Sequence, residues 1–174
     1  MKPSNLKPSE YEKIQLERQA TRLFIGCFAS SYKKNILYQQ HNLPIKPDVS
    51  CTLEGQPLDL EIAHLYGSEQ EAMQVLGREL STTTRKELRA LANSNDTSDR
   101  LLNALNHILA KKSQKHYDSK RVWLVIRNAH PAWDVSEIKA VQNKIALPKK
   151  HPFEQIWVIG DFKGITGVLR IFPK

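Results

Sequence analysis

The chain has 174 residues, 40% of them hydrophobic and 25% charged, with a formal net charge of +8 and a pI near 9.5. That length suits one domain with a real core, and no apolar run approaches the roughly 20 residues a membrane helix needs, so no membrane partner is predicted. The positive balance favours a polyanionic partner, most plainly nucleic acid.

Residues 1–8 read as a loose tail, and 9–174 as one domain without an internal repeat or linker. Met1 to Glu10 is polar and carries two prolines, unlike a secretory leader. Ser9 with Glu12 fits a capping box, which predicts a helix over about Glu10 to Tyr32. Leu16, Ala20, Leu23, Phe24, Cys27 and Phe28 form its apolar stripe. Glu17 lies at the stripe's margin, either as a solvated helix glutamate or as an acid turned toward a site. Cys27 and Cys51 sit on apolar faces without metal spacing, which points to a reducing, cytoplasmic setting. Residues 33–47, with Pro44 and Pro47, read as a connection.

The next stretch organises the rest. Val49, Cys51 and Leu53 alternate with polar residues, as do Leu58, Leu60 and Ile62, and Glu54-Gly55-Gln56-Pro57 between them is a turn by composition. Such a hairpin draws Asp48 toward Asp59 and Glu61. Carboxylates gathered on one sheet face repel each other, and hard oxygen ligands suit Mg²⁺, Mn²⁺ or Ca²⁺. The alternative is a sheet face whose acids are simply solvated. His64, just past Glu61, either lines that site or is a hydrogen-bonded neighbour.

Capping boxes at Ser68/Glu71 and Thr84/Glu87 predict a helical segment within 68–96, and residues 93–98 read as a loop. A helix is predicted over about Asp99 to His116. Leu101, Leu105 and Ile108 line one face, and Lys112 continues it, with Lys115 following. A lysine on an apolar stripe either snorkels its charge to water or meets acids inside. Val-Trp-Leu-Val-Ile126 is a buried strand by composition. Asp134 with Glu137 caps a helix to about Ala146. Gln155 to Gly160 and Thr166 to Phe172 are further strands. Strand-helix-strand order requires a partly parallel sheet covered by helices, an α/β fold with a central mixed β-sheet.

The chain lacks the phosphate-loop, dinucleotide-binding and serine-elbow signatures, and its six histidines show no ligand spacing. A helix, a hairpin bearing Pro47-Asp48 and Glu61-Ile62-Ala63, a helix bearing Lys112-Ser-Gln-Lys115-His-Tyr117 and a buried strand follow in order. This order resembles the PD-(D/E)XK nuclease superfamily, with its restriction-endonuclease-like fold, from about residue 10 to the end. The resemblance implies a metal-dependent nuclease that hydrolyses phosphodiester bonds of DNA or RNA with Mg²⁺ or Mn²⁺. It implies that Asp48, Glu61 and the Ile62 carbonyl hold the metal, with Glu17 contributing from the first helix. The family lysine falls at position 63, where this chain has Ala63. In some members it comes from the following helix, which makes Lys112, and then Lys115, the expected catalytic lysine. Lys111, Lys120, Arg121, Lys149 and Lys150 are the expected phosphate contacts. Proteins of this fold often dimerise to cut two strands, so a homodimer is also an expected partner. The alternative is a catalytically inactive nucleic-acid-binding or interaction module on the same fold, whose binding weakens steeply with salt.

Overall fold

A computed structural model of the chain describes residues 6–66 and 97–174, together with Met73, Thr82 and Lys86. Among these residues, three helices flank a six-stranded mixed sheet. Helix α1 is Pro8–Tyr32, followed by strands β1 (Ile36–His41), β2 (Val49–Leu53) and β3 (Gln56–Leu65). Helix α2 is Thr97–Ser113, and β4 (Val122–Asn128), α3 (Val135–Val141), β5 (Phe153–Ile159) and β6 (Val168–Phe172) complete the order. The strands lie in the sheet in chain order, with β3–β4 and β4–β5 parallel and the other pairs antiparallel.

Alternation sorts the side chains into two cores. Leu58, Leu60 and Ile62 of β3, with Trp123 and Val125 of β4, face α1. There Phe24 and Phe28 meet Trp123 and Trp157 with ring centroids 5.5 to 6.4 Å apart. The intervening Ala63, Leu65, Leu124 and Ile126 face the other way, onto Leu101, Leu105 and Leu109 of α2 and Ile138 of α3. Every residue of β4 is buried, as a central parallel strand covered on both faces requires. At about 25 cal/mol per Å² of apolar surface, these two layers are the main favourable contribution to the fold.

The β2–β3 connection is tighter than its composition implied. Leu53 pairs with Gln56 across two residues, Glu54 and Gly55, both with positive φ (49° and 80°). That is the backbone a two-residue hairpin with right-handed strand twist demands, and glycine adopts it without a Cβ penalty.

Several expectations need correction. Helix α1 begins two residues earlier than its Ser9/Glu12 cap would place it. The Lys7 backbone amide donates to the Glu10 carboxylate at 3.0 Å instead, with Pro8 filling a first-turn position where its missing N–H costs nothing. Pro8 therefore belongs to the helix and not to a tail. The segment read as a connection contains β1, an edge strand in which only Ile36 is fully buried, so it lacked an apolar alternation to betray it. Helix α2 starts within the expected 93–98 loop and ends at Ser113, not His116, and α3 gives way to a 3₁₀ turn over Gln142–Lys144 well before Ala146. The Asp134/Glu137 cap forms as expected. The caps at Ser68/Glu71 and Thr84/Glu87 lie outside the described residues. Among the described residues no helix is long and apolar enough to cross a membrane.

Candidate metal and catalytic site

The site begins where β2 and β3 part company. Their ladder runs from Leu53↔Gln56 to Val49↔Leu60, and β3 then continues alone on that side to Leu65. The first β3 amide beyond the ladder still finds a partner: Ile62 N–H donates to Asp48 Oδ2 at 2.8 Å. Asp48 is itself held by its backbone, since its carbonyl accepts from Asn42 N–H at 2.8 Å. The Asn42 side chain adds bonds to the Pro47 carbonyl at 2.9 Å and to Ser50 at 2.8 Å. The Pro47-Asp48 corner is thus fixed from both sides.

Glu61 is only 3% exposed and leaves β3 on the α2 side. The amphipathic face of α2 carries Lys112 to it, one turn beyond the part-buried Ile108 and the buried Leu109. Lys112 Nζ donates to Glu61 Oε1 at 2.7 Å and to the Ile62 carbonyl at 3.3 Å. Lys115, more exposed, reaches the same carboxylate oxygen at 3.4 Å. The apolar stripe on α2 therefore ends in a lysine that meets acid inside and does not snorkel away.

Glu17 closes the site from α1. It is 4% exposed, so the solvated reading fails. Its carboxylate contacts His41 Nε2 at 2.6 Å and Lys13 Nζ at 3.4 Å. Burial, and then the negative charges of Glu61 and Glu17, push the Asp48 carboxyl up to about 6, against the pull of the Ile62 amide and Lys112. The three acids thus sense one another across a partly desolvated notch. Tyr117 lies beside them: burial and the nearby Glu61 and Asp48 carboxylates raise its phenol, which stays un-ionised.

Asp59 does not join this group. Ser50 and Ser119 donate to its two carboxylate oxygens at 2.7 and 2.5 Å. His64 points to the α1 side, stacks on Tyr66 and is pushed down to about 3 by burial, then Arg127 and Lys112. It is a neutral, part-buried residue there, outside the acid cluster. Of the expected phosphate contacts, Lys120 and Arg121 precede β4, and Lys149 and Lys150 precede β5, at one end of the parallel strands. Lys111 is exposed in the last turn of α2. Arg121 is already engaged by Glu154 at 2.7 Å.

His41 and the cleft in front of the acids were not foreseen. His41 arrives on β1, where it pairs with Val49 and so sits next to Asp48 in space. No signal in the chain marks it, because the strand that carries it lacks an apolar pattern. The cleft, about 470 Å³, runs between the first turns of α1 and the Leu43–Lys46 loop and ends at Glu17, Asp48 and Glu61.

The oxygen donors suit a hard divalent ion. Among the described residues no three His, Cys, Asp or Glu side chains converge closely enough to hold a metal ion by themselves. Asp48, Glu61 and the Ile62 carbonyl make a smaller set, of the kind Mg²⁺ accepts when water or substrate phosphate fills the other positions. The raised Asp48 carboxyl fits that set, since a cation there would relieve the repulsion that raises it. Comparison of the chain with family models, with curated proteins and with solved structures finds no match.

Proposed function

We propose that this chain is a metal-dependent nuclease with the PD-(D/E)XK arrangement and a restriction-endonuclease-like fold, hydrolysing phosphodiester bonds of DNA or RNA. The observation that supports it most is the seat of Lys112: its ammonium, delivered by α2, lies on Glu61 and the Ile62 carbonyl while Asp48 grips the Ile62 amide. A helix-borne lysine thereby stands beside the two acids where position 63 offers only alanine. Asp48, Glu61 and the Ile62 carbonyl would hold Mg²⁺ or Mn²⁺, with Glu17 supporting from α1. When bound, the ion supplies Lewis acidity toward a phosphate oxygen.

The chain's own groups do the rest. Lys112 orients an attacking water and offsets negative charge as the phosphorus becomes five-coordinate. Lys115, half exposed at the mouth, adds a second cation for the phosphate. Lys111, Lys120, Arg121, Lys149 and Lys150 extend the positive field along which a polyanion is drawn. Cys27 and Cys51 are unbonded thiols, which accords with a reducing cytoplasmic setting.

A second reading has its own support. Glu61 already receives two ammonium groups, so its own charge is answered without a metal. On that reading the chain is a catalytically inactive nucleic-acid-binding module. Thermal unfolding with and without millimolar Mn²⁺ separates the two. The nuclease reading expects the wild type to gain about 2.7 kcal/mol at roughly 100 times Kd, and a variant carrying Asp48→Ala and Glu61→Ala to gain nothing. Equal behaviour of both proteins would transfer the assignment to the metal-free module.

A further inference from the structure

The cleft is built unlike a channel for duplex phosphates. Its α1 wall includes a row of Tyr11, Ile14 and Arg18, at spacings that bring side chains onto one face, with Glu10 and Lys13 beside it. Its opposite wall is the loop bearing Leu43, Ile45 and Lys46. Tyr11 is 48% exposed, Leu43 65% and Ile45 77%, so apolar surface stands in water on both sides of the path to the acids.

Ile45 makes the case sharper. Its φ is 90°, a conformation that a β-branched residue adopts only under strain, on the order of 1–3 kcal/mol. The surroundings hold it there: the Ile45 carbonyl accepts from Asp118 N–H at 3.0 Å, and Asn42 pins the far end of the loop to the Pro47 carbonyl. The strain therefore displays an exposed isoleucine at the cleft and buries nothing in return.

We infer that this cleft receives an unpaired nucleic-acid strand, whose base stacks on Tyr11 between the Ile14 and Leu43/Ile45 walls while Arg18 and Lys46 take its phosphates. An aromatic face flanked by cations is how single strands are held without sequence preference. A duplex keeps its base faces stacked internally and offers this apolar lining nothing. The inner end of the cleft is the acid cluster, so the strand lies with a phosphodiester at Asp48 and Glu61. The inference rests on the nuclease reading for that last step only, because strand capture by the cleft needs no cleavage.

The test is fluorescence anisotropy in EDTA with two probes of equal length, an oligothymidylate and a self-complementary hairpin. The wild type should prefer the single strand. Tyr11→Ala should weaken single-strand binding roughly 5- to 150-fold, the range found for loss of one base–aromatic stack, with hairpin binding unchanged. Tyr11→Phe should restore it. Equal affinity for both probes, or a Tyr11→Ala protein that binds the single strand as the wild type does, overturns the inference. A parallel Mn²⁺ cleavage assay keeps the two proposals apart. Cleavage without strand preference leaves the nuclease standing and removes the cleft assignment. Tyr11-dependent capture without cleavage does the reverse.

Discussion

Asp59 and Glu61 leave β3 on the same face, two residues apart, and meet different chemistry. Asp59 is satisfied by two serine hydroxyls, neutral donors at 2.7 and 2.5 Å. Glu61 is satisfied by two ammonium groups, with Lys112 at 2.7 Å and Lys115 at 3.4 Å. Both carboxylates are answered, but only the second is answered with charge, in a place almost closed to water. A buried ion pair is weak evidence for stability, because desolvation offsets much of its attraction. Its position beside a second acid and at the end of a cleft is what gives it a chemical meaning.

That contrast can be broken in three ways. The largest effect is expected from Lys112→Met, which leaves a nearly buried carboxylate with only the half-exposed Lys115 and should cost about 3 kcal/mol by urea unfolding at neutral pH. Lys115→Met removes a half-exposed partner of the same oxygen and should cost less than about 1 kcal/mol. Equal losses would mean that the two cations share Glu61 evenly. Next, on the nuclease reading, Glu61→Gln should lower Mn²⁺-dependent cleavage by about 10²–10³-fold, the usual penalty for removing one preorganised electrostatic group. Asp59→Asn should leave the rate near that of the wild type. A comparable loss at Asp59 would erase the distinction between the two acids.

The third concerns Asp48 in EDTA. Its carboxyl is raised in the folded protein from 3.8 to about 6, so the fold favours its protonated form. Its contribution to stability is therefore fully present below about pH 4 and is lost as pH rises through about 6. A shift of that size corresponds to about 3 kcal/mol. The stability of Asp48→Asn relative to the wild type should climb over that window and level off above it. A difference between the two proteins that stays flat with pH would show that neither burial nor the charges of Glu61 and Glu17 raise the Asp48 carboxyl.

The hairpin acids were legible from the phase of the alternation, and the helix-borne lysine because it broke one. Asp48 and Glu61 fall on the polar face of their alternating strands, and Lys112 occupies a place where the α2 stripe asks for leucine. The α/β sheet was legible from the continuous apolar runs of β4 and β5, which are buried on both faces. Glu17 was harder: it sits next to the α1 stripe in sequence, and only the close approach of β1 turns it inward onto His41. β1 was hidden because an edge strand with Leu37, Tyr38, Gln39 and Gln40 all exposed has no hydrophobic period to read. The cleft was hidden for a related reason, since its walls come from α1 and a strained loop whose proximity no local spacing encodes.

Lys112 and Glu61 are separated by 51 positions along the chain. The hairpin carries the negative charges and α2 carries the positive one, so neither piece is electrically complete by itself. Only docking of α2 onto the sheet closes the circuit. Assembly of the charge cluster is therefore a property of tertiary packing and not of the hairpin: a change in the α2–sheet interface as remote as Leu101 or Leu105 acts on the same two carboxylates as a change in the lysine itself.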